Sequence, residues 1–185
     1  MSLPARKKLR LEGYDYSSNG LYFVTICVKD KHEILGHIVV GANCVRPVPS
    51  VRPILSEYGK IVEMEITALS ETYDAIEVIN YVVMPNHIHI VISINNDWQT
   101  QVIDKFNAID GEFGVVDGGR TQFAPTISRV IKQFKGSITK KIGVSIWQRS
   151  YHDHIIRNEQ DYCRIAEYIE NNPAKWMEDI YFKPR

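Results

Sequence analysis

The sequence predicts an α+β fold, an antiparallel sheet of the ferredoxin-like kind with helices packed on one face, held in a single domain over residues 1–185. Three observations lead there. Runs rich in β-branched and aromatic residues recur along the chain, amphipathic stretches of helical period interrupt them, and each element has a single apolar side to bury. The order is β-β-α-β-β-α-β-α. With 185 residues and 44% hydrophobic content, the chain is long enough to enclose one sizeable core.

In order, "LYFVTICVKD" (21–30) and "HEILGHIVVG" (32–41) read as two strands joined by a tight polar turn. Residues 43–53, punctuated by proline, read as an exposed loop. Ser56 is the expected N-cap of a helix over 55–73, with Ile61, Met64, Ala68 and Leu69 as its apolar stripe. Strands at 75–84 and 87–94 flank the turn pair Pro85-Asn86. Residues 95–124 carry Asn-Asn-Asp, Asp-Gly and Asp-Gly-Gly and read as a long, partly mobile insertion. A helix opens near Pro125-Thr126 and turns Ile127, Val130, Ile131, Phe134 and Ile138 to the core. A fifth strand is expected over 144–157, then a last helix over 158–172 that stops at Pro173.

No apolar run reaches the ~18 residues of a membrane span, and the basic start lacks a signal-peptide core. Cys27, Cys44 and Cys163 form no C-x-x-C pair, which argues against a disulfide framework and a cysteine zinc site. A cytoplasmic protein is the expectation. The zero net charge hides a pattern. From Arg120 to Arg149 the chain carries Arg129, Lys132, Lys135, Lys140 and Lys141 with no acid, and the start adds Arg6, Lys7, Lys8 and Arg10. Segregated charge of this kind can face a polyanion, although a solvated lysine-rich helix has the same pattern.

In "YVVMPNHIHIVISI" (81–94), period two places His87 and His89 on one face and Ile88, Ile90, Ile92 and Ile94 on the other. Two neighbouring imidazoles suit a divalent cation, but on the pair alone the favoured reading is a capped backbone group beside a solvated ring. The last helix exits through "EYIENNP", with Tyr168 and Asn172 four apart on one side. A phenol and a carboxamide pointing the same way offer a nucleophile and a hard oxygen ligand together.

"MPNHIHIVI" and "WQRSYHDHIIRNEQDYCRIAEYIENNP", in this order, resemble the two signatures of the REP-associated tyrosine transposases, within the HUH single-tyrosine superfamily. "RLEGYDYSSNGLYFVTICV" is similar to that family's opening strand. The resemblance covers most of residues 6–176 and leaves out 43–53 and 95–122. It implies the HUH endonuclease architecture and metal-dependent cleavage and rejoining of single-stranded or hairpin DNA, typically a repetitive extragenic palindrome. By the same implication Tyr168 is the nucleophile that forms a 5′-phosphotyrosine, and His87, His89 and Asn172 hold Mg²⁺ or Mn²⁺, with Asn171 as a register-shifted rival. His154, His152 and Asp153 are the nearest proton acceptors by sequence. Arg129, Lys132 and Lys135, with Arg6, Lys7, Lys8 and Arg10, would track the DNA backbone, and Trp147, Tyr151 or Phe123 would stack on bases. Two other readings compete, a non-catalytic ferredoxin-like nucleic-acid-binding module and a hydrolase using an H-x-H zinc pair. The first lacks the aromatic sheet surface of RNA readers, the second a third strong ligand and a carboxylate base.

Overall fold

A computed structural model describes residues 14–39, 51–95 and 126–182. Strand β1 (Gly20–Cys27) is followed by the short strands β2 (Gly36–His37) and β3 (Ile54–Leu55) and by helix α1 (Glu57–Thr72). Strands β4 (Ile76–Val83) and β5 (His87–Ile94), helix α2 (Ile127–Ile142), strand β6 (His152–Ile156) and helix α3 (Glu159–Asn171) complete the order. One antiparallel sheet runs β4-β5-β1-β6, and β2 pairs only with β3.

The α+β antiparallel class is as expected, and two strands are shorter than their composition predicts. β1 has both edges occupied, Thr25 lying between His89 of β5 and His152 of β6. The segment after it therefore has no ladder to join. It turns away through Asp30 (φ 56) and Lys31 (φ 57), and among its described residues only Gly36–His37 pairs again. The expected 144–157 strand shrinks to five residues for a different reason. Trp147 bridges Val28 while His152 pairs with Thr25, so the path from 147 to 152 is two residues longer than its partner's. The surplus loops out, and Lys135 Nζ fastens it by donating to the carbonyls of Gln148 (3.0 Å) and Ser150 (2.9 Å).

Three side-chain caps start the helices. Ser56, Thr126 and Asn158 accept from the backbone N–H groups of Gly59 (3.1 Å), Arg129 (3.3 Å) and Asp161 (2.8 Å). Gly143 (φ 84) ends α2 in the left-handed conformation that glycine adopts without strain. On the isoleucine face of the sheet, Tyr22, Val24, Ile26, Ile88, Ile90 and Ile92 pack against α1 and α2. α2 buries the five residues its period predicts. α1 is rotated from its expected stripe, with Val62, Ile66 and Leu69 inside and Met64 55% exposed. The rotation follows from Gly59, which abuts the Leu35 carbonyl too closely for any side chain.

The helical layer is divided. Where one layer was expected, α3 lies on the opposite, histidine-bearing face, and Ile165 and Ile169 pack there on Val91, Ile156, Leu21 and Phe23. Those sheet residues form an apolar patch beside the histidines, and a helix has to cover it. At the outer edge, β4 carries an irregularity between Val78 and Asn80.

Ile90→Ala is expected to cost about 2–5 kcal/mol in equilibrium denaturation, as large-to-small core changes do. Gly59→Ala reverses the usual sign. In a helix that change normally gains up to ~1 kcal/mol, but here the melting temperature should fall.

Candidate active site

His87 and His89 project from β5 on the face covered by α3 and the segment after it, and both are fully buried. The Tyr181 ring lies 4.5 Å from His87, centroid to centroid, with Trp176 at 5.9 Å. Asn86, at the β4–β5 turn, fixes the first imidazole. Its Nδ2 donates to the carbonyls of Lys31 (3.2 Å) and Tyr181 (2.9 Å), so its Oδ1 must be the atom facing His87 Nδ1 at 2.9 Å. An amide oxygen only accepts, so His87 carries its proton on Nδ1 and leaves Nε2 as a bare lone pair. That lone pair is 3.0 Å from His89 Nε2, and His89 Nδ1 meets Thr25 Oγ1 at 2.8 Å. Burial first, then the Lys31 charge, lowers His87 to about 3. Burial, then His87 itself, holds His89 well below its ordinary value against an opposing pull from Asp179. Both rings are neutral near pH 7.

From α3 the Tyr168 hydroxyl reaches to 3.2 Å from His89 Nε2 and donates a long 3.4 Å bond to Asp179 Oδ2. Its ring is 40% exposed and stands edge-on to Phe23, which stacks on His89 at 5.2 Å. Burial, then the Asp179 charge and Tyr181, push the phenol above its usual value, so it is protonated at rest. Asn172, one turn on, is 3% exposed and donates from Nδ2 to Asp179 Oδ2 at 2.7 Å. Its Oδ1 is buried without a hydrogen-bond partner. Asn171 lines the cleft beside Tyr168.

Asp179 was missed in the sequence because it lies in an aperiodic turn that reaches the site only through tertiary folding. Its carboxylate and the two imidazoles present ligand atoms all within 4.8 Å of one another. With the Asn172 oxygen, this is a mixed nitrogen and oxygen donor set of the kind a hard divalent cation takes.

The expected proton acceptors divide by strand register. His152 and His154 pair with Thr25 and Phe23 on the histidine side, and Asp153 pairs with Val24 on the other. Both histidines and Asp153 nonetheless line a cleft with Tyr168, and His154 Nε2 is held by Asp161 Oδ2 at 2.7 Å. The phenol's hydrogen-bond partners are His89 and Asp179 instead.

The basic residues are not gathered at this site. α2 lies behind the sheet, where Arg129 and Lys132 are exposed. Lys135 does not share their flank. It is half-buried on its two carbonyls, and burial lowers it to about 8. Trp147 is in the core, and the Tyr151 hydroxyl is 3.1 Å from that of Ser128. Arg6, Lys7, Lys8, Arg10, Phe123 and nearly all of the 95–124 insertion lie outside the described residues. The cations beside Tyr168 are Arg164 and Lys175, which charge patterning did not single out. Among the described residues no helix is long and apolar enough to cross a membrane.

A Haemophilus influenzae protein of uncharacterised function is 31% identical over 179 residues, covering 94% of this chain and 91% of its own length. A second H. influenzae protein, provisionally named a REP-associated tyrosine transposase, is 23% identical over 162 residues, or 87% of this chain and 74% of its own. A solved REP-associated tyrosine transposase bound to a REP hairpin matches with a TM-score of 0.56 at 19% identity, over 90% of this chain and 74% of its own, a likeness of fold. No protein-family profile matches the chain. Fold and relatives together place it among the DNA-processing transposases. Within that class, the chain is similar in fold and in sequence to the REP-associated tyrosine transposases.

Asn86→Ala removes two donors and one acceptor from buried partners, each worth about 1–3 kcal/mol when left unpaired. Equilibrium denaturation should register a loss above about 2 kcal/mol, and amide exchange around Tyr181 should speed up.

Proposed function

We propose that this protein cleaves and rejoins single-stranded DNA through a covalent 5′-phosphotyrosine on Tyr168, beside a folded palindromic hairpin. The observation that carries the reading is a partly exposed Tyr168 whose hydroxyl lies 3.2 Å from His89 of a buried, neutral imidazole pair. The solved relative's hairpin supports the substrate class.

In this reading Tyr168 Oη attacks phosphorus in line and the bond from phosphorus to the 3′ oxygen breaks. The phenol's proton ends on that departing oxygen, so the products are a tyrosyl 5′-phosphodiester and a free 3′-hydroxyl. Rejoining is the reverse attack by a 3′-hydroxyl, with no ATP required because the covalent link conserves the bond energy. His87, His89 and Asn172 would hold Mg²⁺ or Mn²⁺, which supplies Lewis-acid withdrawal of charge from the phosphate oxygens when bound. The fit rests on the bare Nε2 of His87 and the unpartnered Oδ1 of Asn172. Phe23 fixes the angle of the phenol ring, and Tyr181 and Trp176 keep water off His87. Arg164 and Lys175 flank the nucleophile and are placed for the phosphates of the single strand. Arg129 and Lys132, exposed on the far face, would meet the hairpin stem in this reading. A module that only binds nucleic acid leaves the buried Asn172 oxygen without a purpose.

Tyr168→Phe keeps the packing and removes the nucleophilic oxygen. Incubation with labelled hairpin DNA and Mn²⁺, followed by denaturing electrophoresis, should lose the protein–DNA adduct while affinity stays within twofold. Persistence of the adduct would falsify the assignment of the nucleophile. Lys175→Glu should take about 0.7 per lost phosphate contact off the log–log salt slope of single-strand binding, measured by titration.

A further inference from the structure

Resting on that reading, we propose that Asp179 belongs to the cation site, adding a carboxylate oxygen to the imidazoles of His87 and His89 and holding the Asn172 amide in its working orientation. Nothing in the tyrosine and histidine signatures requires this carboxylate.

The turn that carries Asp179 is tied down around it. Ile180 accepts from Lys31 Nζ (3.0 Å), Tyr181 accepts from Asn86 (2.9 Å), and the Tyr181 N–H donates to Asp179 Oδ1 (2.7 Å). The carboxylate is therefore pre-positioned. Its other oxygen takes the Asn172 Nδ2 bond at 2.7 Å. A flipped amide would set oxygen against carboxylate, so Asp179 determines which end of Asn172 is left over. The atom left over is the buried, unpartnered Oδ1.

Charge points the same way. The hydrogen-bond partners of Asp179 are an amide, a phenol and a backbone N–H, all neutral. Lys60, Lys141, His154 and Arg164 pair with Glu57, Glu65 and Asp161 rather than with Asp179. A half-buried carboxylate, an imidazole lone pair fixed by Asn86, and a second imidazole 3.0 Å away thus share a small volume, within 4.8 Å, with no basic side chain bonded among them. Lewis bases brought this close can converge on one positive centre, and two nitrogens with hard oxygens suit Mn²⁺ or Mg²⁺ better than a thiophilic ion.

The test reads metal binding rather than turnover. Mn²⁺ is titrated into the full chain by electron paramagnetic resonance, with wild type beside Asp179→Asn, which keeps side-chain size and removes the charge. Wild type should bind one Mn²⁺ with imidazole nitrogen coupling, and Asp179→Asn should bind it about tenfold or more weakly while its metal-free melting temperature holds. Should the variant fail to fold, wild type labelled with ¹³C-aspartate answers alone, because a bound carboxylate gives a ¹³C coupling at ligand distance. Unchanged affinity in Asp179→Asn, or no ¹³C coupling in wild type, overturns the role of Asp179 and leaves the strand-transfer reading standing. Absent imidazole coupling in wild type overturns the cation site itself, and this proposal with it.

Discussion

Asn86 is wholly buried, and its side-chain amide joins three segments that are remote in sequence. Nδ2 closes the carbonyls of Lys31 and Tyr181, and Oδ1 holds His87 Nδ1. Its own backbone carbonyl accepts from Val28, while that of Pro85 accepts from Leu35. The turn between β4 and β5 is therefore where the end of β1, the exit of its following segment and the C-terminal turn are all fastened. A buried amide is strongly constrained, because any unpaired atom in it costs free energy. Satisfying it here fixes an imidazole tautomer, and the same bonds bring Tyr181 and Asp179 over the histidines.

The two faces of the sheet divide the work that follows. The isoleucine face meets α1 and α2 in a continuous apolar core, reinforced by the Glu65–Lys141 ion pair between the helices. The opposite face is half apolar and half chemical. Val91, Phe23 and Leu21 seat α3, and that seat sets how far the Tyr168 hydroxyl stands from His89. Packing on one half of the face thereby becomes positional accuracy on the other, the supporting role that sites built on rigid elements depend on.

What the sequence made legible was local. Caps at Ser56, Thr126 and Asn158 are contacts within one turn, and period two alone brought His87 and His89 together. What it hid depended on partners. No pattern in "HEILGHIVVG" reveals that both edges of β1 are already taken by β5 and β6. The inward face of α1 was misjudged because Gly59, by abutting Leu35, sets the helix rotation and leaves Met64 outside. Lys135 looked like its neighbour Lys132 in charge, and only the looped-out residues near Gln148 and Ser150 give its ammonium another use. Asp179 carries no periodic signal, since its meaning comes from Asn172 and from the histidines far upstream.

The central position of β1 also shapes how the chain must be made. Its two partners follow late, His89 lying 64 residues beyond Thr25 and His152 further still. At the about 5–20 residues per second of synthesis, β1 waits about 3–13 s for its first neighbour and longer for its second. During that interval Tyr22, Val24 and Ile26 have no sheet to enter, and two open strand edges are presented to other chains. Closure of loops this long is slow in any case. The same threading means that a partly synthesised chain has neither Tyr168 nor a seat for it, so the cleft over His87 and His89 forms only once the sheet is complete.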